Sequence, residues 1–145
     1  MYRGAALELN DSGRLTTIEL HEPTAKIAEE YLQNLGVSRV SIRVGRFQNL
    51  LDGILKEMGT VDYVFIDGHH DEDATVSYFE QVLKYLAPTA VIIFDDIFWS
   101  VGMKRAWTAI QKNSKISLAI DMDRMGICVV SETIEGQHYF KSTGH

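Results

Sequence analysis

Two apolar runs that each end in aspartate place the strongest constraint on how this chain folds. The first run covers Val61–Asp67 (VDYVFID), and the second covers Ala90–Asp96 (AVIIFDD). Both are short and rich in β-branched and aromatic residues, which is typical of buried strands. In open α/β sheets, ligands bind at the carboxyl ends of the strands. If the two strands are neighbours, their three aspartates lie around one point, where crowded carboxylates need a cation, a proton or a basic ligand group.

The apolar pattern around these runs alternates between strands and helices. Such alternation predicts an α/β fold: a mostly parallel sheet in three layers, covered by helices on both faces, with one antiparallel strand near the end. We expect the strand that ends in Asp95 and Asp96 to begin after Pro88, and the helix before it to extend its apolar face to Leu86. The predicted strands cover residues 15–20, 40–44, 61–67, 90–96, 116–120 and 127–130. The predicted helices cover 1–10, 23–35, 47–58, 74–86 and 103–110.

Length and charge narrow the possible classes of protein. The chain has 145 residues, which suits one domain, and its net charge of −6 argues against binding to nucleic acid, because phosphate contacts need a basic face. The single cysteine, Cys128, lies in an apolar run and is predicted to be a buried core thiol. Since no apolar stretch approaches a membrane span and nothing resembles a signal peptide, we expect a cytoplasmic protein that binds no membrane.

The order of these motifs resembles the class I S-adenosylmethionine (SAM)-dependent methyltransferases, especially small O-methyltransferases of the catechol and caffeoyl-CoA type. The resemblance runs from Tyr2 to Ser131, so it implies one Rossmann-like methyltransferase domain over residues 1–131 and a polar tail over residues 132–145. It also implies a cofactor site. Glu19 would bind the ribose hydroxyls of SAM. Gly45 would be the cofactor-site glycine that ends the next strand, followed by Phe47 and Gln48 beside the adenine.

The same resemblance implies a catalytic site at the two acidic strand ends. Asp67, Asp95 and Asp96 match ligands of a divalent cation such as Mg²⁺ in the metal-dependent members, and Asp67 also borders the cofactor site. His70 stands three residues after Asp67, where catechol-type enzymes place the residue that takes the proton of the substrate hydroxyl. The implied activity is methyl transfer to a hydroxyl of a small molecule, with Phe98 and Trp99 as an apolar wall beside it.

One departure from the family pattern concerns the first strand and its Gly-rich turn, which family members place before the helix that here begins near Tyr2. The sequence given therefore predicts a sheet without that strand. It leaves open a truncated or degenerate methyltransferase-like domain that is inactive and serves as a binding or structural module. An exposed gap in the sheet also favours a homodimer.

Each candidate residue also has a plainer interpretation. Asp67 could cap a loop or helix, His70 could belong to a solvated pair with His69, Glu19 could be a surface acid and Phe47 a core residue. Other residues are predicted to be structural: Trp107 in the core, and Asp121 and Asp123 in the turn of a terminal hairpin.

Three other classes that use acidic strand ends fit poorly. An ATPase needs a Gly-x-x-x-x-Gly-Lys-Ser/Thr loop, which does not occur in this sequence. Receiver domains place their acid pair after the first strand, and haloacid-dehalogenase phosphatases close the first strand with Asp-x-Asp. Here both patterns come late in the chain.

Overall fold

The computed structural model describes residues 2–142, which form five helices and seven strands. Residues up to Ile54 form one compact unit and residues from Leu55 onward form another. The helices are α1 (Tyr2–Leu9), α2 (Glu22–Asn34), α3 (Phe47–Met58), α4 (Glu72–Val82) and α5 (Val101–Gln111). The strands are β1 (Leu15–Glu19), β2 (Val40–Val44), β3 (Val61–Ile66), β4 (Leu86–Phe94), β5 (Leu118–Met122), β6 (Met125–Ser131) and β7 (His138–Lys141).

The first unit is built around a parallel pair of strands, β1 and β2. Their register runs from Leu15 opposite Val40 to Glu19 opposite Val44. The segment before β2 is tied to α1, because Glu8 Oε1 accepts a hydrogen bond of 2.8 Å from the backbone N–H of Arg39. Backbone N–H groups that point at this carboxylate lower the pKa of Glu8. The link fixes where β2 enters its sheet.

The second unit contains a five-stranded sheet in the order β3-β4-β6-β5-β7. β3 and β4 are parallel, and β6 is antiparallel to both β4 and β5. The core forms where α4 and α5 cover the sheet: the ring of Phe94 lies 6.0 Å, centroid to centroid, from both Phe79 and Trp107. Trp107 is therefore a core residue, as predicted. Cys128 is also fully buried, as its apolar run indicates.

The predicted α/β fold is confirmed, but strand β4 begins earlier than expected. It starts at Leu86, so Pro88 lies inside the strand, and α4 already ends at Val82. Proline has no N–H to donate to a neighbouring strand, so it is tolerated only at an edge or an irregularity. The register between β3 and β4 shifts at this point, between Val61 and Tyr63. The apolar pattern alone could not separate the end of the helix from the start of the strand.

The C-terminal segment contains a strand that the sequence analysis did not predict. Within the predicted tail, His138–Lys141 forms β7, which pairs in parallel with β5. Residues 143–145 of that tail lie outside the described residues. The prediction of Asp121 as a turn residue was wrong, because it lies in β5 with 2% of its surface exposed and accepts a hydrogen bond from the Tyr139 hydroxyl. The turn consists of Asp123 and Arg124.

Residues 2–142 include no helix that is long and apolar enough to cross a membrane. In the same range the strands form two separate sheets, and no described strand pairs with both of them. Among the described strands, β1 and β2 in the two-stranded sheet and β3 and β7 in the five-stranded sheet each pair on one side only.

Candidate active site

The carboxyl ends of β3 and β4 meet at one edge of the five-stranded sheet. Ile66 lies opposite Phe94 at the end of the parallel pair, and the backbone N–H of Asp95 donates to the carbonyl oxygen of Ile66 over 3.0 Å. Asp67 and Asp95 therefore follow directly from adjacent strand ends. The predicted adjacency of the two acidic strand ends is observed, because the strands are neighbours that run in the same direction.

The loop after β3 places its two adjacent histidines in different surroundings. His70 Nε2 lies 3.7 Å from Asp67 Oδ1, and the His70 ring lies 6.3 Å from the ring of Trp99. His69 instead turns toward α4, where its Nδ1 lies 3.0 Å from the hydroxyl of Tyr78. The loop ends at Asp71, whose side chain caps α4 by accepting from the N–H of Ala74 over 3.0 Å. Of the two histidines, His70 is the one beside the acidic strand end.

The loop after β4 carries the apolar part of the site. The carbonyl oxygen of Asp96 accepts from the N–H of Trp99 over 2.9 Å, which closes a turn, and Ser100 then caps α5. This turn leaves the indole of Trp99 70% exposed beside His70. Phe98 is half-buried, and the ammonium groups of Lys104 and Lys141 each lie within 6 Å of its ring centroid, at 5.7 and 5.8 Å. An aromatic surface flanked by cations results.

Arg124, in the turn between β5 and β6, reaches the same edge of the sheet. Its Nη2 and Nε lie 2.9 and 3.3 Å from Asp96 Oδ1, and its carbonyl oxygen accepts from the N–H of Ile97 over 3.0 Å. Asp96, followed by Asp95 and Asp123, raises the pKa of Arg124. Arg124 was not among the residues predicted from the sequence. A hairpin next to the acidic strand returns its turn to that strand's carboxyl end, which was the available signal.

Unusual backbone conformations are concentrated at this edge. Among residues 2–142, five non-glycine residues have φ in the left-handed region, and four of them lie in the loops just described: His69, His70, Asp96 and Asp123. Such a conformation costs roughly 1–2 kcal/mol for an ordinary side chain, although Asp and His tolerate it better than most. Residues held this way cluster at functional sites in proteins. The clustering here is therefore consistent with a functional edge.

The three predicted metal ligands are not arranged as a metal site in the part of the chain that the structure describes. Within it, no group of three or more His, Cys, Asp and Glu side chains is placed to hold a metal ion. Asp96 faces Arg124, and Asp67 faces His70. The residues as arranged therefore do not fit the divalent cation that the resemblance implies.

The four predicted cofactor residues of the first unit lie at the ends of β1 and β2. Glu19 and Gly45 are adjacent, because the N–H of Gly45 donates to the carbonyl oxygen of Glu19 over 2.9 Å. Glu19 Oε1 accepts from the N–H of His21 over 2.8 Å, which fixes the carboxylate at the strand end. Gly45 has a φ of 151°, and a Cβ there would lie 2.9 Å from Leu50 Cδ1. Phe47, half-buried, begins α3, and Gln48 is exposed beside it.

Solved structures with the same fold include two bacterial O-methyltransferases. The chain superposes with a TM-score of 0.66 and 27% identity on an O-methyltransferase from Bacillus cereus in complex with SAH, covering 83% of this chain and 63% of that one. For the O-methyltransferase TomG from Streptomyces achromogenes in complex with SAM, the TM-score is 0.68 and the identity 25%, covering 82% of this chain and 62% of that one.

Sequence comparison points to the same group of proteins. The chain is 25% identical over 99 residues to caffeoyl-CoA O-methyltransferase 1 of Zea mays, which covers 66% of this chain and 38% of the maize protein. The chain thus spans about two-fifths of the length of this relative. The family described as "Methyltransferase domain" matches residues 1–97. Because that match includes more than half of the sequence, the chain belongs to this methyltransferase family.

Proposed function

We propose that the protein is a SAM-dependent methyltransferase that transfers a methyl group to a hydroxyl of a small molecule. The observation that carries the proposal is the placement of His70 beside Asp67 at the edge that β3 and β4 share, next to Asp95. The names of the relatives, which include caffeoyl-CoA O-methyltransferases and O-methyltransferases crystallised with SAH or SAM, support both the reaction class and the cofactor.

In this proposal the first unit holds the cofactor through residues at two strand ends. The Glu19 carboxylate accepts hydrogen bonds from the ribose hydroxyls, and its contact with His21 N–H keeps it oriented. Phe47 and Gln48, which follow Gly45 at the end of β2, flank the adenine. SAM, when bound, supplies an electrophilic methyl group for an in-line displacement, so the protein mainly orients the acceptor and removes its proton.

His70 is the proposed general base. We assign the proton of the neutral ring to Nε2, which lies 3.7 Å from Asp67 Oδ1, so that Nδ1 is left to accept the proton of the acceptor hydroxyl. The Asp67 carboxylate then stabilises the imidazolium that forms. The exposed indole of Trp99 packs against the acceptor and limits the access of water to its oxygen. The divalent cation that the resemblance implies at Asp67, Asp95 and Asp96 takes no part in this proposal.

The test compares two neighbouring histidines that the structure assigns to different surroundings. With SAM and a panel of catechol, sugar and CoA-linked acceptors, we expect His70→Gln to lower kcat by about 10²-fold, the usual contribution of a general base. His69→Gln is the matched control, because His69 contacts Tyr78 on α4. Its kcat is expected to stay within about twofold of wild type. Equal losses in both variants would contradict the role of His70.

Binding of the cofactor is measured separately by thermal shift with SAM and SAH. A ligand that binds only the folded state raises its stability, by about 2.7 kcal/mol at 100 times its Kd. We expect this rise in wild type and in Glu29→Gln, and its loss in Glu19→Gln. Stabilisation without turnover on any acceptor would favour the alternative of a methyltransferase-like binding module. No stabilisation in wild type would exclude the proposed function for this chain.

Three coarser expectations complete the proposal. The partner is a small-molecule acceptor and not a nucleic acid, in line with the net charge of −6. A homodimer and a cytoplasmic location stay predictions. Light scattering after size exclusion addresses the first of these, and cell fractionation addresses the second.

A further inference from the structure

The pair formed by Asp96 and Arg124 is built into the backbone at the carboxyl end of β4. Arg124 lies in a two-residue hairpin turn that Met122 and Met125 close, and its carbonyl oxygen is bonded to Ile97 N–H, one residue after Asp96. Asp96 itself has a φ of 49°, and its carbonyl oxygen accepts from the N–H of Trp99 over 2.9 Å. Both partners are thus held by main-chain contacts, unlike a typical surface pair of two flexible side chains.

This pairing changes what the carboxylate can bind. Two N–H groups of Arg124, on Nη2 and Nε, converge on the single oxygen Oδ1 of Asp96. A divalent cation would have to displace the guanidinium from that oxygen, and within residues 2–142 no second and third carboxylate stand with it to form a ligand set. A guanidinium has five N–H donors, so three donors remain after the two contacts to Asp96. With its side chain 75% exposed, Arg124 presents them to solvent at the site.

We propose, building on the proposed function, that Arg124 serves as the positive charge of the acceptor site in place of a divalent cation. In this arrangement Asp96 orients the guanidinium, and the free N–H donors hold the acceptor oxygen as it loses its proton to His70. The acceptor class that follows is a hydroxyl next to an anionic or readily ionised oxygen, since planar guanidinium donors match such a pair of oxygens. Arg124 contacts the acceptor and is therefore a catalytic residue, whereas Asp96 is the positioning residue that orients it. Methyl transfer then needs no added metal.

The first experiment measures metal binding and needs no catalytic activity. The wild-type chain is titrated with Mg²⁺ and Mn²⁺ by calorimetry, alongside Asp96→Asn and Asp95→Ala. We expect no saturable binding below millimolar metal in any of the three. Saturable micromolar binding in wild type that Asp96→Asn or Asp95→Ala abolishes would overturn the inference, and it would leave the proposed methyltransferase activity standing.

The second experiment measures steady-state kinetics in the presence of EDTA. We expect wild-type activity to be unchanged by EDTA, and Arg124→Met to lower kcat/KM for the acceptor by about 10²-fold, the usual effect of removing one donor from a developing oxyanion. The KM for SAM should stay within about twofold, and Arg124→Lys should recover part of the loss. Arg105→Met is the matched control, because Arg105 forms a comparable pair with Glu72 between α5 and α4.

Three results would count against the inference. Activity that EDTA removes and Mg²⁺ restores would show that a metal is required. Loss of SAM affinity equal to the loss of acceptor affinity in Arg124→Met would indicate a structural role. Equal effects of Arg105→Met and Arg124→Met would indicate a general effect of charge. The absence of any stabilisation by SAH in wild type would instead contradict the proposed function on which this inference rests.

Discussion

Cys128 shows at the level of one residue how burial changes an ionisation. It lies on β6 between Ile92 of β4 and Ala119 of β5, and neither it nor these neighbours are exposed. Burial raises the pKa of its thiol from 9.0 to about 12, because the thiolate would lose its hydration in this apolar layer. The residue is therefore a structural thiol without the thiolate character that reactive cysteines need.

We expect this shift to appear in the pH dependence of stability. The folded state keeps this thiol protonated up to about pH 12, whereas the unfolded chain ionises it above about pH 9. The thiol therefore contributes stability that is present below about pH 9 and is lost as the pH rises toward 12. Relative to Cys128→Ala, the free energy of unfolding of wild type should fall by about 1.4 kcal/mol more between pH 8 and pH 10. Urea denaturation at both pH values measures it. Tyr78, whose pKa burial also raises, is the same in both proteins and cancels from the comparison. Parallel curves would contradict the assignment.

At the level of elements, α5 is fixed on the sheet by a contact between a ring and a backbone. A Cβ at Gly126 of β6 would lie 2.6 Å from two ring carbons of Trp107, which is almost completely buried. Since the indole is rigid and surrounded by Phe94 and its neighbours, it has no free space into which to move. Gly126 therefore permits the close approach of helix and strand.

The corresponding prediction is a loss of stability in Gly126→Ala by about 1–3 kcal/mol, the usual cost of overpacking a core. Gly53→Ala is the control: Gly53 lies within α3 with no atom within 4 Å of its added Cβ. We expect Gly53→Ala to raise the free energy of unfolding by about 0.5–1 kcal/mol, because alanine favours a helix more than glycine does. Urea midpoints report both, and equal stability of wild type and Gly126→Ala would contradict the contact.

The elements that the sequence predicted well are those with strong apolar periodicity. α3 and β2 match their predicted ranges, and the two acidic runs are strands that lie side by side. β7 was missed because all four of its residues are exposed, so its pattern carries no signal of burial. That strand is also the reason why Asp121 is buried, since Tyr139 of β7 provides a hydrogen-bond donor that no local pattern could reveal.

For the site, the sequence predicted which acids lie at the strand ends but not which groups they face. The adjacency of Asp67 and Asp95 follows from strand order alone, because adjacent parallel strands end at one edge of the sheet. The partner of Asp96 depends on a hairpin that begins more than twenty residues later. Long-range pairing of this kind depends on topology, and the resemblance to a family with metal ligands favoured a different partner.

At the scale of the whole molecule, the two sheets differ in how well their strands are supported. β4 is paired on both sides, with β3 and β6, whereas β1 in the first unit pairs only with β2 among the described strands. A two-stranded sheet is marginal by itself, and a strand with two neighbours exchanges its amides only when larger parts of the structure open.

We therefore predict that amide hydrogen exchange is slowest in β4 and β6 and at least tenfold faster in β1 and β2. A tenfold difference in rate corresponds to a difference of about 1.4 kcal/mol in the free energy of opening. Mass spectrometry of the exchanged protein, with peptides that separate these strands, measures the difference. Exchange at two pH values checks that opening is at equilibrium. Equal protection in the two sheets would show that β1 has support beyond its pairing with β2.

The direction of β7 has a practical consequence. β7 runs parallel to β5, and the residue that follows it, Ser142, donates its backbone N–H to the carbonyl oxygen of Asp121. Ser142 therefore lies next to Lys141, whose ammonium group lies over the ring of Phe98. If the proposed acceptor site is correct, a fluorophore attached through a cysteine introduced at position 142 would sit within reach of an incoming acceptor. Its emission would then report ligand arrival without any need for turnover.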